Sequence, residues 1–421
     1  MNSRQIIKKA LNHKQTDKLP VDFGGGLLTD ILVSTVYKLR QYYHLDKPGT
    51  PVKLTEPFWG IGETKEDLQK IFGSNIKKLE FPKTSILGFE KNNWKEWQLD
   101  DGTPVLVPGL FNTDKNPDSS IYQYPQGDKS LKPSCKMPKN GLYFDAIIRQ
   151  KRPIDYDNLN PKDNMEEFAV ISDEDVQYLK EEAEDIYDNT EYAIYLDPCF
   201  SSFGDIAVVV GVALKDPKGI RDISEWYILS HTNKNYIKAI NEYQCELALE
   251  SYAKIYNAIG NKIDVVFVSG TDFGTQKGQI FSVETFRDLY KPYSKRVNDW
   301  IHTHTQWKTF IHSCGSIYPF IPDFINAGFD ILNPVQVSAL NMEPERLKKE
   351  FGKDITFWGG AVDPQKTLPF GTPKEVREAV RRNIEIFFKD GGYVFANVHI
   401  LQANVPIENI VAMIEVIHEY I

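Results

Sequence analysis

The run Phe310-Ile311-His312-Ser313-Cys314-Gly315 is apolar until it reaches a histidine and a cysteine two positions apart. In a strand, residues i and i+2 point to one face, so both ligating atoms can reach a single point. About 85 residues later a second apolar run, Tyr393-Val394-Phe395-Ala396-Asn397-Val398, ends in His399. Two imidazoles and one thiolate converging at strand ends suit zinc with a fourth position left open. A buried cysteine with two hydrogen-bonded histidines satisfies the same spacing, and spacing alone leaves both readings open.

The elements that must carry these residues alternate. From 261 onward the apolar runs Val265–Val268, Thr309–Ile311, Phe329–Leu332, Ile355–Trp358 and Tyr393–Ala396 are separated by amphipathic helical stretches. Short, continuously apolar runs are what strands buried on both faces of a parallel sheet look like. The helices are expected from Ser282 to about Thr305, over 317–328, over 343–351, from the capping box at Thr372–Glu375, and from Pro406 to the end. Three earlier candidates, Leu19–Phe23, Ile76–Phe81 and Tyr192–Leu196, raise the strand count to eight. Eight strand–helix units imply a single α/β domain over 1–421 folded as a TIM (β/α)8 barrel, with its site at the C-terminal strand ends; a doubly wound open sheet is the alternative, without a G-x-G-x-x-G or P-loop sequence to support it. The stretch from about 83 to 165, rich in Pro, Gly, Asp and Asn, reads as a β-rich insertion after strand two, with a hairpin around Asp101-Gly102.

The residues after each expected strand are polar: Asp22, Ser269 to Gln276, His312 and Cys314, Asn333 and Gln336, Asp363, and Asn397 with His399. Gly24 to Gly26 and Asp363 before Pro364 are ordinary turn chemistry. His302 and His304 are two apart on a helix, so they diverge and read as surface residues.

The net charge of −9 and the lack of a long basic cluster argue against a nucleic-acid binder. No apolar run is long enough to span a bilayer, and the N-terminus lacks a signal peptide's apolar segment. Four scattered cysteines do not form a disulfide scaffold, so the chain reads as cytoplasmic with reduced thiols.

Several motifs resemble the uroporphyrinogen decarboxylase superfamily. They are Ser3-Arg4-Gln5 with Ala10-Leu11-Asn12-His13 and Asp17 to Asp22, Asp272-Phe273-Gly274-Thr275-Gln276, His312-Ser313-Cys314-Gly315-Ser316, Ile331 to Gln336, and Thr367 to Pro373. The resemblance implies a TIM barrel. True uroporphyrinogen decarboxylases bind the carboxylates of a tetrapyrrole with an N-terminal R-Q-A-G-R segment. Here that region reads Val21-Asp22-Phe23-Gly24-Gly25-Gly26-Leu27-Leu28, and the next arginine is Arg40. Carboxylates need cationic partners, so the resemblance points to the superfamily's other branch, the corrinoid-dependent methyltransferases.

Members of that branch acting on coenzyme M bind zinc through H-x-C and a distant cysteine. His312 and Cys314 match H-x-C, no cysteine follows Cys314, and His399 stands where the distant ligand would fall. That difference points away from a thiol acceptor and toward longer members resembling demethylases of methoxylated aromatics. The implied reaction moves a methyl group from a small methoxylated donor to the cobalt of a corrinoid (cobalamin) on a partner protein. His312, Cys314 and His399 would hold Zn2+, Asp272, Asn333 and Gln336 are the catalytic candidates, and Gln276 and Asn397 the cofactor-facing ones. The partners expected are the corrinoid protein and the donor, with no nucleic acid and no membrane, and a homodimer stays open. A decarboxylase of a small carboxylated substrate and a non-catalytic binding protein are the alternative readings.

Overall fold

The computed structural model describes residues 1–421. Each apolar run becomes a strand: β1 Val21–Asp22, β2 Ile76–Lys78, β3 Ala193–Leu196, β4 Val265–Ser269, β5 Lys308–His312, β6 Ile331–Asn333, β7 Thr356–Trp358 and β8 Tyr393–Ala396. They form one sheet in the order β1-β8-β7-β6-β5-β4-β3-β2, with every neighbouring pair parallel. The sheet curls until β1 meets β2. Asn75 closes the seam, its N–H donating to the Val21 carbonyl at 2.8 Å and its side-chain oxygen accepting from Val21 N–H at 2.9 Å. The TIM-barrel expectation therefore holds.

Closure turns the period-two alternation of each strand into layers across the barrel axis, with alternate strands contributing to one layer. Asp22, Tyr195, Phe310 and Trp358, from β1, β3, β5 and β7, make such a layer. Tyr195 and Trp358 each stand edge-on to Phe310 at 5.5 Å between ring centroids. Trp358 Nε1–H donates to Asp22 Oδ2 at 2.8 Å, and Gly25 N–H donates to Asp22 Oδ1 at 2.9 Å. A side chain at Gly25 would place Cβ 2.3 Å from Asp22 Oδ1, so only glycine lets the backbone come this close. The other end of the barrel is plugged by the helix Ser3–Leu11, capped by Asn2 and Gln5, whose Ile7, Ala10 and Leu11 join the interior cluster.

The expected hairpin pairs Lys95–Gln98 with Pro104–Val107. Its sheet also recruits Val52–Glu56 and Ile61–Gly62, which precede β2, so the insertion is stitched to the loop after β1. A second antiparallel sheet runs Thr113–Lys115, Ile121–Gln123, Cys135–Met137 and Asp145–Ala146. The helix expected from Ser282 to Thr305 is two, Val283–Leu289 and Lys291–His304. Ser282 caps the first as read, and the break at Tyr290 follows from Pro292, whose ring cannot sit against the preceding turn. The helix from Pro406 ends at His418, short of Ile421. No helix is long and apolar enough to cross a membrane, and no cysteine is in a disulfide.

Burial pushes Asp22 from 3.8 up to about 6, against hydrogen bonds that pull it down. Its proton is thus held more tightly in the folded chain than in the unfolded one, so its contribution to stability is complete below the unfolded pKa and is lost as pH rises through about 6. The stability advantage of wild type over Asp22→Asn should therefore shrink by about 2 kcal/mol between about pH 4 and pH 7. Urea unfolding at the two pH values reads this, and an unchanged difference would contradict it.

Candidate metal centre at the barrel mouth

Two residues above Phe310 on β5, alternation turns His312 inward, where it is 3% exposed. Cys314 follows on the loop, and His399 enters from the loop after β8. The ligating atoms of the three lie within 4.8 Å of one another, and the two imidazole rings are 5.2 Å apart at an interplanar angle of 73°. Cys314 Sγ is 3.3 Å from His312 Nε2.

The tautomer of His312 is set from below. Asn333, on β6, donates from Nδ2 to the Trp358 carbonyl at 2.9 Å, so its Oδ1 faces His312 Nδ1 at 2.6 Å. The reverse amide orientation would set two oxygens against each other. Nδ1 therefore carries the proton and Nε2 offers a lone pair toward Cys314. Ile400 N–H donates to His399 Nδ1 at 2.9 Å, so His399 joins a metal by giving up that bond, either at Nδ1 or by moving its proton there. His399 has a left-handed backbone (φ +66°), and its carbonyl accepts from the Asn397 side chain, whose own Oδ1 is buried without a partner.

Burial holds both imidazoles down at about 4, His312 against the pull of Asn333, and His399 helped by His312. Both are neutral near pH 7, as a ligand must be. Burial, then the neighbouring Asp272, pushes the Cys314 thiol well above its usual range, so metal entry must displace its proton. Asp272 Oδ1 accepts from Cys314 N–H at 2.7 Å and stands 3.9 Å from His312 Nε2, and its side chain is 41% exposed. Burial raises its pKa. Gln336 Oε1 accepts from Gly315 N–H at 2.8 Å, which pins the turn after Cys314. Between Asn333 and Gln336, Val335 is fully buried at φ +56°, a strained conformation for a β-branched residue.

The structure thus gathers His312, Cys314, His399, Asp272, Asn333, Gln336 and Asn397. Gln276 stands apart, anchored through its backbone carbonyl to Leu340 N–H, with no side-chain bond to the cluster. His302 pairs with Asp330 and His304 stacks on Trp300, both at the surface. Sequence reasoning did not single out Tyr195, Asp197 or Asp205. The strand-end rule, applied to β3, would have found Asp197.

Comparison with known proteins bears on the half of the chain that carries this cluster. Residues 218–420 match the family model of Uroporphyrinogen decarboxylase (URO-D). The URO-D match spans β4 to β8 and includes every member of the metal cluster, so the resemblance carried by the motifs holds over this stretch. A methyltransferase from Methanosarcina mazei has the same fold, with a TM-score of 0.56 at 14% identity over 100% of this chain and 99% of that one. No curated protein matches the chain.

A donor set of two neutral imidazoles and one thiol, with one tautomer already fixed, fits zinc. Asn333→Ala should weaken zinc affinity by about 10- to 100-fold, read by competition with a chromophoric chelator. Unchanged affinity would remove Asn333 from the ligand-positioning role.

Proposed function

We propose that this chain is a methyltransferase that moves a methyl group from a small methoxylated aromatic donor to the cobalt of a corrinoid held by a partner protein. The observation that carries the reading is the convergence of His312, Cys314 and His399 within 4.8 Å at the barrel mouth. The URO-D match and the fold shared with a methyltransferase support it.

In this reading the C–O bond of the ether breaks, the methyl carbon takes the electron pair of Co(I), and the oxygen keeps the bonding pair. His312, Cys314 and His399 would hold zinc, which when bound would supply Lewis acidity toward the departing oxygen. Asp272 reaches the opening while its backbone-anchored oxygen stays on Cys314 N–H, so its carboxyl is placed to hand the oxygen a proton. Asn333 keeps the His312 lone pair aimed at the cluster, and Gln336 holds the Gly315 turn. Gln276, on a rim loop, and Asn397, with its unpartnered Oδ1, are the proposed contacts to the cofactor. No side-chain nucleophile is required, because the acceptor is the cobalt.

Incubation with Co(I) corrinoid and a panel of methoxylated aromatics, methanol and methylamines should give methylation, read as an absorbance change, with a methoxylated aromatic as the best donor. Cys314→Ala should lose bound zinc and slow the reaction by about two orders of magnitude. Full activity without zinc would exclude the metal role, and methylation by none of the donors would exclude the reading.

A further inference from the structure

Asp197 follows β3 and, by the same alternation, stands in the layer of His312. The matching positions after β1 and β7 are Gly24 and Gly360, so two sides of that layer are left without side chains. Beneath lie the rings of Tyr195, Phe310 and Trp358, an apolar floor in which the outer two stand edge-on to the middle one. Tyr195 is 2% exposed and its hydroxyl makes no hydrogen bond to the protein. Gly26 lies at the hydroxyl end of that ring: a Cβ there would come within 3.3 Å of Tyr195 Cζ, which places the phenol end toward the mouth. Asp197, 7% exposed, accepts the Cys199 thiol on Oδ1 at 3.1 Å, and its other oxygen has no partner.

The charge of this wall is one-sided. Asp197 and Asp205 have no ion-pair partner, and Asp272 has only His312, at 3.9 Å. The nearby cation, Lys78, is taken by Asp30 at 2.8 Å and lies 3.9 Å from Glu80. Arg40 is bound to Asp46 and Asp67, and Arg221 to Glu167. A carboxylate entering on this side would meet three carboxyls and no unpaired protein cation, whereas a hydroxyl can donate to Asp197 and accept from Tyr195.

Resting on the methyl-transfer reading above, we propose that Tyr195 and Asp197 select the substrate at the barrel mouth, and that the donor is a methoxylated phenol, uncharged with a free hydroxyl, and not a methoxybenzoate. The flat ring lies on the aromatic floor, the hydroxyl bridges Tyr195 and Asp197, and the methoxy oxygen faces the His312 side.

Calorimetric titration of the zinc-loaded full chain with 2-methoxyphenol and with 2-methoxybenzoate tests this. The phenol should bind at least about tenfold more tightly. Tyr195→Phe keeps the ring packing, and should weaken the phenol by about fivefold while leaving the benzoate unchanged. Asp197→Asn should narrow the preference by raising affinity for the benzoate. Equal or tighter binding of the benzoate by wild type, binding of neither compound, or a preference unaffected by both variants would overturn the proposal. The titration needs no corrinoid. Preferential phenol binding without methylation by any donor would leave the subsite standing and remove the methyl-transfer reading; methylation with the benzoate as the better donor would do the reverse.

Discussion

Trp358 joins the interior of the barrel to its chemistry. Its indole N–H is satisfied by Asp22 on the adjacent side of the floor, and its carbonyl by the Asn333 amide. The first bond fixes the indole in the floor beneath the mouth. The second decides which way the Asn333 amide faces, and through it which nitrogen of His312 has a lone pair. A hydrogen-bond chain from Asp22 through Trp358 and Asn333 to His312 therefore carries information from the core to the ligand cluster, with each donor matched to one acceptor. Such chains are rigid because a buried donor left unmade is costly.

Around that chain the mouth divides chemically. On the β5 to β8 side stand neutral donors, two imidazoles and a thiol kept uncharged by burial. On the β3 to β4 side stand carboxyls with no partner cation. The two loops after β3 and β4 are zipped together by Ser201 to the Val268 carbonyl, Ser202 to Gly270 and Thr271 to the Phe203 carbonyl, so the acidic side is held as firmly as the neutral one.

The barrel was legible in the sequence because parallel strands buried on both faces leave unbroken apolar runs, and all eight appear where those runs stand. The H-x-C pair was legible for the same reason, since alternation fixes the direction of His312 once Phe310 is known to face inward. Three things were not. The break at Tyr290 depends on how Pro292 meets the turn before it, which a helical pattern of apolar residues does not reveal. The pairing of Val52 with Val105 joins segments from either side of β2, and local propensity carries no signal for that. Tyr195 resembles any core aromatic, and only the glycine beside its ring and the missing partner for its hydroxyl set it apart.

The plug helix has a consequence for how the molecule is made. Ser3–Leu11 is synthesised before any barrel strand, yet the surface it covers is assembled from β2, β3, β4 and β8, and the last of these ends at Ala396. Leu19 and Tyr420 are joined by a backbone bond. The helix must therefore wait, apolar face uncovered, until β8 has been made. Closure over so long a stretch of chain is slow, because its loop entropy must be overcome before the contacts form.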